Sequence, residues 1–238
     1  MSKTCLRHHG EREQQDLRSY GRRRGRAPSA RQAALWQEVL PRLALDLAQP
    51  PPARPGDLFA PPVEEVWLEI GFGGGEHLLW QARHNPGVGL IGCEPFQDGV
   101  VKVLSAIEAE GPSNIRLHAD DARPLLRWLP AGGIGRTFIL FPDPWPKKRH
   151  HKRRLVSAAT LAELARVMRS GAELRIATDD GEYARSMLLA VAAQQDFRWM
   201  AAGPADWRRR PADWPPTRYE QKALREARRC IYLRFRRG

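Results

Sequence analysis

The sequence predicts an α/β fold, with one largely parallel sheet, helices on both faces and a late antiparallel strand at its edge. Three observations lead there. From Val63 onward, short apolar runs alternate with segments whose apolar residues recur at helical spacing. The early runs end in glycine or in acidic residues: Gly71, Glu94, then Asp120-Asp121. The last run, residues 230–235, instead alternates apolar and polar side chains, as an antiparallel strand with one wet face does.

Taken in order, residues 1–28 are polar and arginine-rich, densest at Arg22-Arg23-Arg24-Gly25-Arg26. Too little apolar surface is present to offset ordering entropy, so a basic flexible arm is expected, of the kind that settles on nucleic-acid backbone. Residues 29–62 read as an N-terminal helix and a proline-rich linker. Ser29 caps a short helix carrying Ala33, Leu35, Trp36 and Val39, and Pro41 ends or kinks it. The main domain is residues 63–238. Its first strand, 63–70, runs into Gly71-Phe72-Gly73-Gly74-Gly75 and a helix with Leu78, Leu79 and Ala82 inward. A second strand, 89–93, ends in Glu94. A helix over 98–108 turns Val100, Val103, Leu104 and Ile107 inward, and strand 115–119 follows. Asp120-Asp121-Ala122 then opens a helix with Leu125, Leu126 and Leu129. One of these aspartates is read as an N-cap and the other as facing a ligand. The apolar run 137–141 stops at Pro142, which has no N–H for a ladder. A helix with Leu161, Leu164, Ala165 and Met168 inward ends at Ser170-Gly171. Strand 173–177 closes in Thr178-Asp179-Asp180-Gly181, and a helix with Ala184, Met187, Leu188 and Val191 inward follows.

Composition narrows the partners. The 238 residues carry a net charge of +12, which draws the chain to polyanions, nucleic acid first and an anionic membrane surface second. No apolar run approaches the roughly 18–20 residues of a membrane span, and no signal-peptide core is visible, so the cytoplasm is expected. The three cysteines are far apart and the histidines show no ligand spacing, so neither a disulfide framework nor a metal site is expected.

The chemistry concentrates at Phe141-Pro142-Asp143-Pro144-Trp145-Pro146. Asp143 sits at the carboxyl end of a central strand, where open α/β sheets bind ligands. The next eight residues, Lys147 to Arg154, carry six fixed positive charges and two histidines. A carboxylate at a ligand crevice, continuous with a cationic strip, suggests chemistry on a polyanion. The glycines after the first strand allow a tight turn and close ligand approach. Glu94 is placed for the hydroxyls of a ribose, a contact that nicotinamide and adenosylmethionine cofactors both need. A dinucleotide fingerprint would have its third glycine at position 76, which is Glu76.

These segments closely resemble the bacterial tRNA (guanine-N7)-methyltransferase family. The likeness lies in Leu68-Glu69-Ile70-Gly71-Phe72-Gly73, in Glu94, and in the Asp143 loop with its basic strip. It extends to Arg18-Ser19-Tyr20, Ala177-Thr178-Asp179 and Thr217-Arg218-Tyr219-Glu220. The resemblance implies a Rossmann-like class I methyltransferase fold with a mostly parallel seven-stranded sheet. It implies S-adenosyl-L-methionine as cofactor and methyl transfer to N7 of a guanine in the tRNA variable loop. By position, it implies Glu69, Gly71, Gly73, Glu94, Asp121 and Asp143 at the cofactor, with Asp143 also catalytic. Lys147, Asp179, Thr217, Arg218, Tyr219 and Glu220 would face the substrate. Arg149, His150, His151, Lys152, Arg153 and Arg154 would contact RNA. The implied partner is tRNA, with no membrane and no metal, for a monomer or alternatively a homodimer. The chain departs from the family pattern at Pro146, at Asp180 and at Pro95-Phe96. Rival readings are a methyltransferase acting on rRNA or a small molecule, a catalytically silent RNA-binding protein, and a nicotinamide-linked dehydrogenase.

Overall fold

In the computed structural model, which describes Arg23, Gly25 and residues 27–238, seven strands form one sheet in the order β3-β2-β1-β4-β5-β7-β6. The strands are β1 (Glu65–Ile70), β2 (Val88–Cys93), β3 (Ile115–His118), β4 (Ile134–Leu140), β5 (Met168–Thr178), β6 (Phe197–Trp199) and β7 (Ile231–Arg237). The first five pair in parallel, whereas β7 runs antiparallel to both β5 and β6. The C-terminal strand is therefore antiparallel as expected, but the outermost position belongs to the three-residue β6.

Helices cover both faces, so strands β1, β2 and β4 are buried on each side and mainly apolar, with Glu65 and Glu69 in β1 and Arg136 and Thr137 in β4 as polar exceptions. On one face, α3 (Glu76–His84) and α4 (Gln97–Glu110) bury Leu78, Leu79, Val100, Val103 and Leu104. On the other, α5 (Ala122–Trp128), α6 (Ala158–Val167) and α7 (Gly181–Ala192) bury Leu125, Leu126, Leu161, Leu164 and Met187.

The N-terminal helix begins at Ser29, whose hydroxyl accepts from the Gln32 N–H while Gln32 Oε1 accepts from the Ser29 N–H, a reciprocal cap. Pro41 does not stop it. α1 (Ala30–Ala34) widens into a π turn at Leu35–Val39, and α2 (Leu40–Leu43) continues with Pro41 in its first turn. The wider turn accommodates a residue that cannot donate. Met168, expected on the inner face of α6, is instead the first residue of β5 and pairs with Ile134. Its backbone is already extended (φ −83°, ψ 136°), so the helix ends at Val167 and Ser170-Gly171 lie within the strand. Two short helices complete the fold, α8 (Ala205–Arg208) and α9 (Arg218–Arg225). Most of the basic arm, including Arg18, Ser19 and Tyr20, lies outside the described residues. Among the described residues, no helix is long and apolar enough to cross a membrane, and no group of three potential metal ligands occurs.

The chain runs from β1 outward through β2 and β3, then returns to the other side of β1 as β4. That reversal opens a crevice beyond the carboxyl ends of β1 and β4. Ile70 pairs with Ile139, so the glycine turn and the Asp143 loop leave the sheet side by side.

Candidate active site

The glycine turn is shaped by backbone conformation. Gly71, Gly73 and Gly75 all have positive φ, and a Cβ on Gly75 would lie 2.2 Å from Val103 Cγ2. The turn closes on Glu94 at the end of β2. Glu94 Oε2 accepts from the Gly73 N–H at 2.8 Å, and Oε1 accepts from the Phe96 N–H at 2.9 Å. Each carboxylate oxygen keeps a lone pair free of these contacts.

Opposite it, the Phe141–Trp145 loop holds two non-glycine residues in the left-handed region, Phe141 at φ 53° and Trp145 at φ 45°. Such conformations persist only where surrounding contacts fix them. The Phe141 N–H donates to the Ala177 carbonyl at 2.7 Å. Arg154 Nε donates to the Pro144 carbonyl at 2.8 Å, and Arg153 stacks over the Trp145 ring at 4.9 Å. Asp143 is thereby held at the mouth of a pocket of about 440 Å³. Gly71, Gly73, Glu94, Asp121 and Tyr219 also line it.

Acidity dominates this pocket. Burial pushes the Glu94 carboxyl above its ordinary pKa, and the charges of Asp143 and Glu69 add to the rise against the two backbone donors. Desolvation likewise raises Asp143, even though the residue as a whole faces solvent. Asp121 is the N-cap of α5, accepting from the Arg123 N–H and pairing with the Arg123 guanidinium, each at 2.8 Å. The cap and the pocket-lining residue are thus the same aspartate. Asp120 points elsewhere, to an ion pair with Arg23, whose carbonyl accepts from the Gln97 N–H. A cavity with three carboxylates on its wall, two of them electrostatically uncomfortable, favours a cationic guest.

Other expected site residues take supporting positions. Glu69 does not reach the pocket wall. It is buried and its Oε2 lies 2.7 Å from His77 Nδ1. His77 sits edge-on to Phe138 and Trp214, and Gln81 links it to the Asp213 carbonyl. Thr217 is buried as the N-cap of α9, and Glu220 is buried against Tyr232 and Arg210. Of that segment, Tyr219 alone lines the pocket, half exposed, while Arg218 stacks over its ring and approaches Glu76 at 3.9 Å. Asp179 pairs with Arg228 outside the pocket.

The basic strip folds as a two-turn 3₁₀ helix, Lys148–Arg153, with Lys147, Lys148, Arg149 and Lys152 exposed. Partial desolvation and then the neighbouring cations push His150 below its ordinary pKa, so lysine and arginine carry the charge there. His151 lies 3.9 Å from Glu182. Arg154 is turned inward and only 4% exposed, stacked on Tyr183 and paired with Glu182. It braces the Asp143 loop from beneath instead of presenting its charge outward.

Sequence reasoning missed His77, Arg123 and Arg210, whose roles depend on partners distant in the chain or on rotamer. The helix α9 had a readable signal, the Thr217-x-x-Glu220 cap signature, beneath its heavy charge.

The chain is similar to known proteins in sequence and in fold. Residues 63–233 fit a family model described as "Putative methyltransferase". The tRNA (guanine-N(7)-)-methyltransferase of Rhodospirillum rubrum is 51% identical over 230 residues, spanning 95% of this chain and 90% of that protein. The chain belongs to the tRNA (guanine-N(7)-)-methyltransferase family. A further member, from Chelativorans sp., is 50% identical over 91% of this chain and 93% of its own. Among solved structures, the fold is similar to the 16S rRNA methyltransferase KamB, with a TM-score of 0.50, 17% identity and coverage of 74% and 89%. Within the matched residues 63–233, the Glu94 and Asp143 carboxylates, the glycine turn and the basic strip all meet at one end of the sheet.

Proposed function

We propose that this chain is a cytoplasmic, S-adenosylmethionine-dependent methyltransferase acting on N7 of a guanine in the tRNA variable loop. The observation that carries the reading is the acidic pocket between the glycine turn and the Asp143 loop, with the cationic strip beginning four residues after Asp143.

The pocket residues fit the cofactor. A sulfonium and an ammonium suit carboxylates that burial has left short of positive charge. Gly71 has nothing within 4 Å of where a Cβ would stand, leaving its backbone open to a ligand. The unused lone pairs of Glu94 suit the two hydroxyls of a ribose. When bound, S-adenosylmethionine supplies the electrophilic methyl group.

Guanine N7 already carries an in-plane lone pair, so the protein needs no base to create the nucleophile. Its work is alignment, which is worth up to roughly 7–11 kcal/mol of barrier in well-oriented systems. As the methyl moves, positive charge develops on the guanine ring. The Asp143 carboxylate, fixed at the pocket mouth, stabilises that charge by accepting from guanine N1–H and N2–H. Tyr219 supplies a ring at the same mouth for stacking. The exposed lysines and arginines of the strip hold the RNA backbone, which makes affinity fall steeply with salt.

The test is methyl transfer from labelled S-adenosylmethionine to unmodified tRNA transcripts, mapped by borohydride–aniline cleavage at N7-methylguanine. Wild type should yield one variable-loop cleavage. Asp143→Asn should lose about 10²–10³ in kcat with little change in cofactor affinity. Unchanged turnover would remove Asp143 from the chemistry, and label without that cleavage would move the target elsewhere.

A further inference from the structure

A second hollow opens on the same rim, and its charge is opposite. It encloses about 770 Å³ between the start of α7, helix α8, the end of α9 and the approach to β7. Its walls carry three guanidinium groups, Arg208, Arg228 and Arg229, all on exposed residues. They also carry two apolar surfaces, the Trp207 indole and the Leu224 side chain, the latter 57% exposed. Arg208 lies over the Trp207 ring at 4.6 Å, forming a flat cation–aromatic platform. One carboxylate, Asp179, stands on the wall, and Arg228 pairs with it and with Glu226.

Helix α9 connects the two hollows. Tyr219 lines the acidic pocket and Leu224 lines the basic one. Leu224 follows Tyr219 by five positions, a rise of about 7.5 Å with a rotation of about 140°, so the two side chains leave α9 on different faces, one toward each hollow. The side-chain tips therefore stand farther apart than that rise, a span that an extended strand covers in one or two nucleotides. A base entering the acidic pocket at Tyr219 therefore carries its neighbouring phosphate and nucleotide toward the basic hollow.

We propose that the basic hollow is a nucleotide subsite for the RNA strand. Arg228 and Arg229 hold a phosphate flanking the target guanine, and the adjacent base lies against Trp207 and Leu224. Guanidinium forks suit a phosphate geometrically, and aromatic platforms accept any base. The subsite also assigns a role to the Asp179–Arg228 pair. A phosphate arriving at Arg228 competes for the guanidinium and releases the Asp179 carboxylate toward the substrate, so strand docking and presentation of Asp179 occur together. This proposal rests on the tRNA reading given above.

The experiment uses tRNA assembled from synthetic halves, with a single neutral methylphosphonate at one or the other phosphate flanking the methylated guanine. Wild type, Arg228→Gln and Arg229→Gln are compared for kcat and KM, with S-adenosylhomocysteine affinity as a control on the cofactor pocket. Wild type should lose about tenfold in kcat/KM on one of the two methylphosphonates. Each variant should lose a similar factor on ordinary tRNA, mainly through KM, with a salt slope shallower by about one. The variant and methylphosphonate losses should not multiply, and S-adenosylhomocysteine binding should stay unchanged. Losses that multiply, or variants with wild-type KM, would overturn the subsite while leaving the tRNA reading intact. A wild-type protein that methylates no tRNA would overturn that reading, and the subsite with it.

Discussion

Arg154→Leu separates a brace from an RNA contact. Arg154 is 4% exposed, donates to the Pro144 carbonyl at 2.8 Å and stacks over Tyr183 at 4.7 Å. Leucine fills part of the volume but leaves the Pro144 carbonyl without its charged donor. A hydrogen bond to a charged group is worth about 1.5–3 kcal/mol, and a desolvated cation–π contact adds about 1–2. The Glu182 partner is 60% exposed and regains water, so it adds little. The expected cost is therefore about 3–4 kcal/mol of stability, read as a lower urea midpoint with an unchanged m-value. Because Pro144 adjoins Asp143, loosening this loop should also lower kcat by on the order of 10²-fold. The KM for tRNA and its salt dependence should barely move. The assay is urea unfolding alongside initial rates at two salt concentrations. A variant with an unchanged midpoint, unchanged kcat, a raised KM and a salt slope shallower by about one would show that Arg154 touches RNA and that the bracing argument is wrong.

Three other outcomes are expected. Glu94 and Asp143 have raised pKa values, so they protonate as pH falls before ordinary carboxylates do. The acid limb of kcat/KM for S-adenosylmethionine should accordingly lie at higher pH than unperturbed carboxylates would place it. A bound cation favours the ionised forms, so the limb in kcat should fall at lower pH, and coincident limbs would contradict the pocket electrostatics. Between their ordinary and raised pKa values, the folded state binds more protons at these groups than the unfolded state does. Their contribution to stability therefore increases as pH falls through that window, and acid loss of activity there is not unfolding. His77→Leu strands the buried Glu69 carboxylate and should destabilise the protein by about 3 kcal/mol in urea unfolding; a neutral result would mean that Glu69 finds another partner. Gly99→Ala would place a Cβ 2.2 Å from the Gly73 carbonyl oxygen, forcing α4 away from the glycine turn. Calorimetry should then show S-adenosylhomocysteine binding weakened at least about tenfold, with the midpoint shifted by less than the His77→Leu variant shifts it.

The sheet was legible because its central strands are buried on both faces, which leaves β1, β2 and β4 mainly apolar, with glycines, carboxylates or proline at their ends. The pocket was legible for the same reason: Glu94 and Asp143 are strand-end residues, and a parallel sheet gathers strand ends. What could not be read was the direction of individual side chains. Arg154 sits in a run of cations, yet only the arrival of Tyr183 from α7 decides that it turns inward. Glu69 stays off the pocket wall because His77, in the first turn of α3, takes its carboxylate. Thr217 and Glu220 are buried by capping and by Tyr232 from a strand that follows them. The three-residue β6 is too short to leave a pattern, and Met168 looked helical because apolar spacing alone does not mark where a helix yields to a strand.

The placement of charge also bears on which nucleotides the protein tolerates. A chain with a net charge of +12 gathers phosphorylated metabolites around it, yet Glu94, Asp121 and Asp143 line the pocket proposed above for S-adenosylmethionine. Phosphates that reach the mouth meet the exposed Asp143 carboxylate first and the buried Glu94 behind it. ATP and the nicotinamide dinucleotides share the adenosine moiety but carry the wrong sign beyond the ribose. On the proposed reading, the protein sits in a cloud of nucleotides, attracted to all of them at long range, and its acidic pocket still favours the uncommon adenosine derivative whose far end is positive.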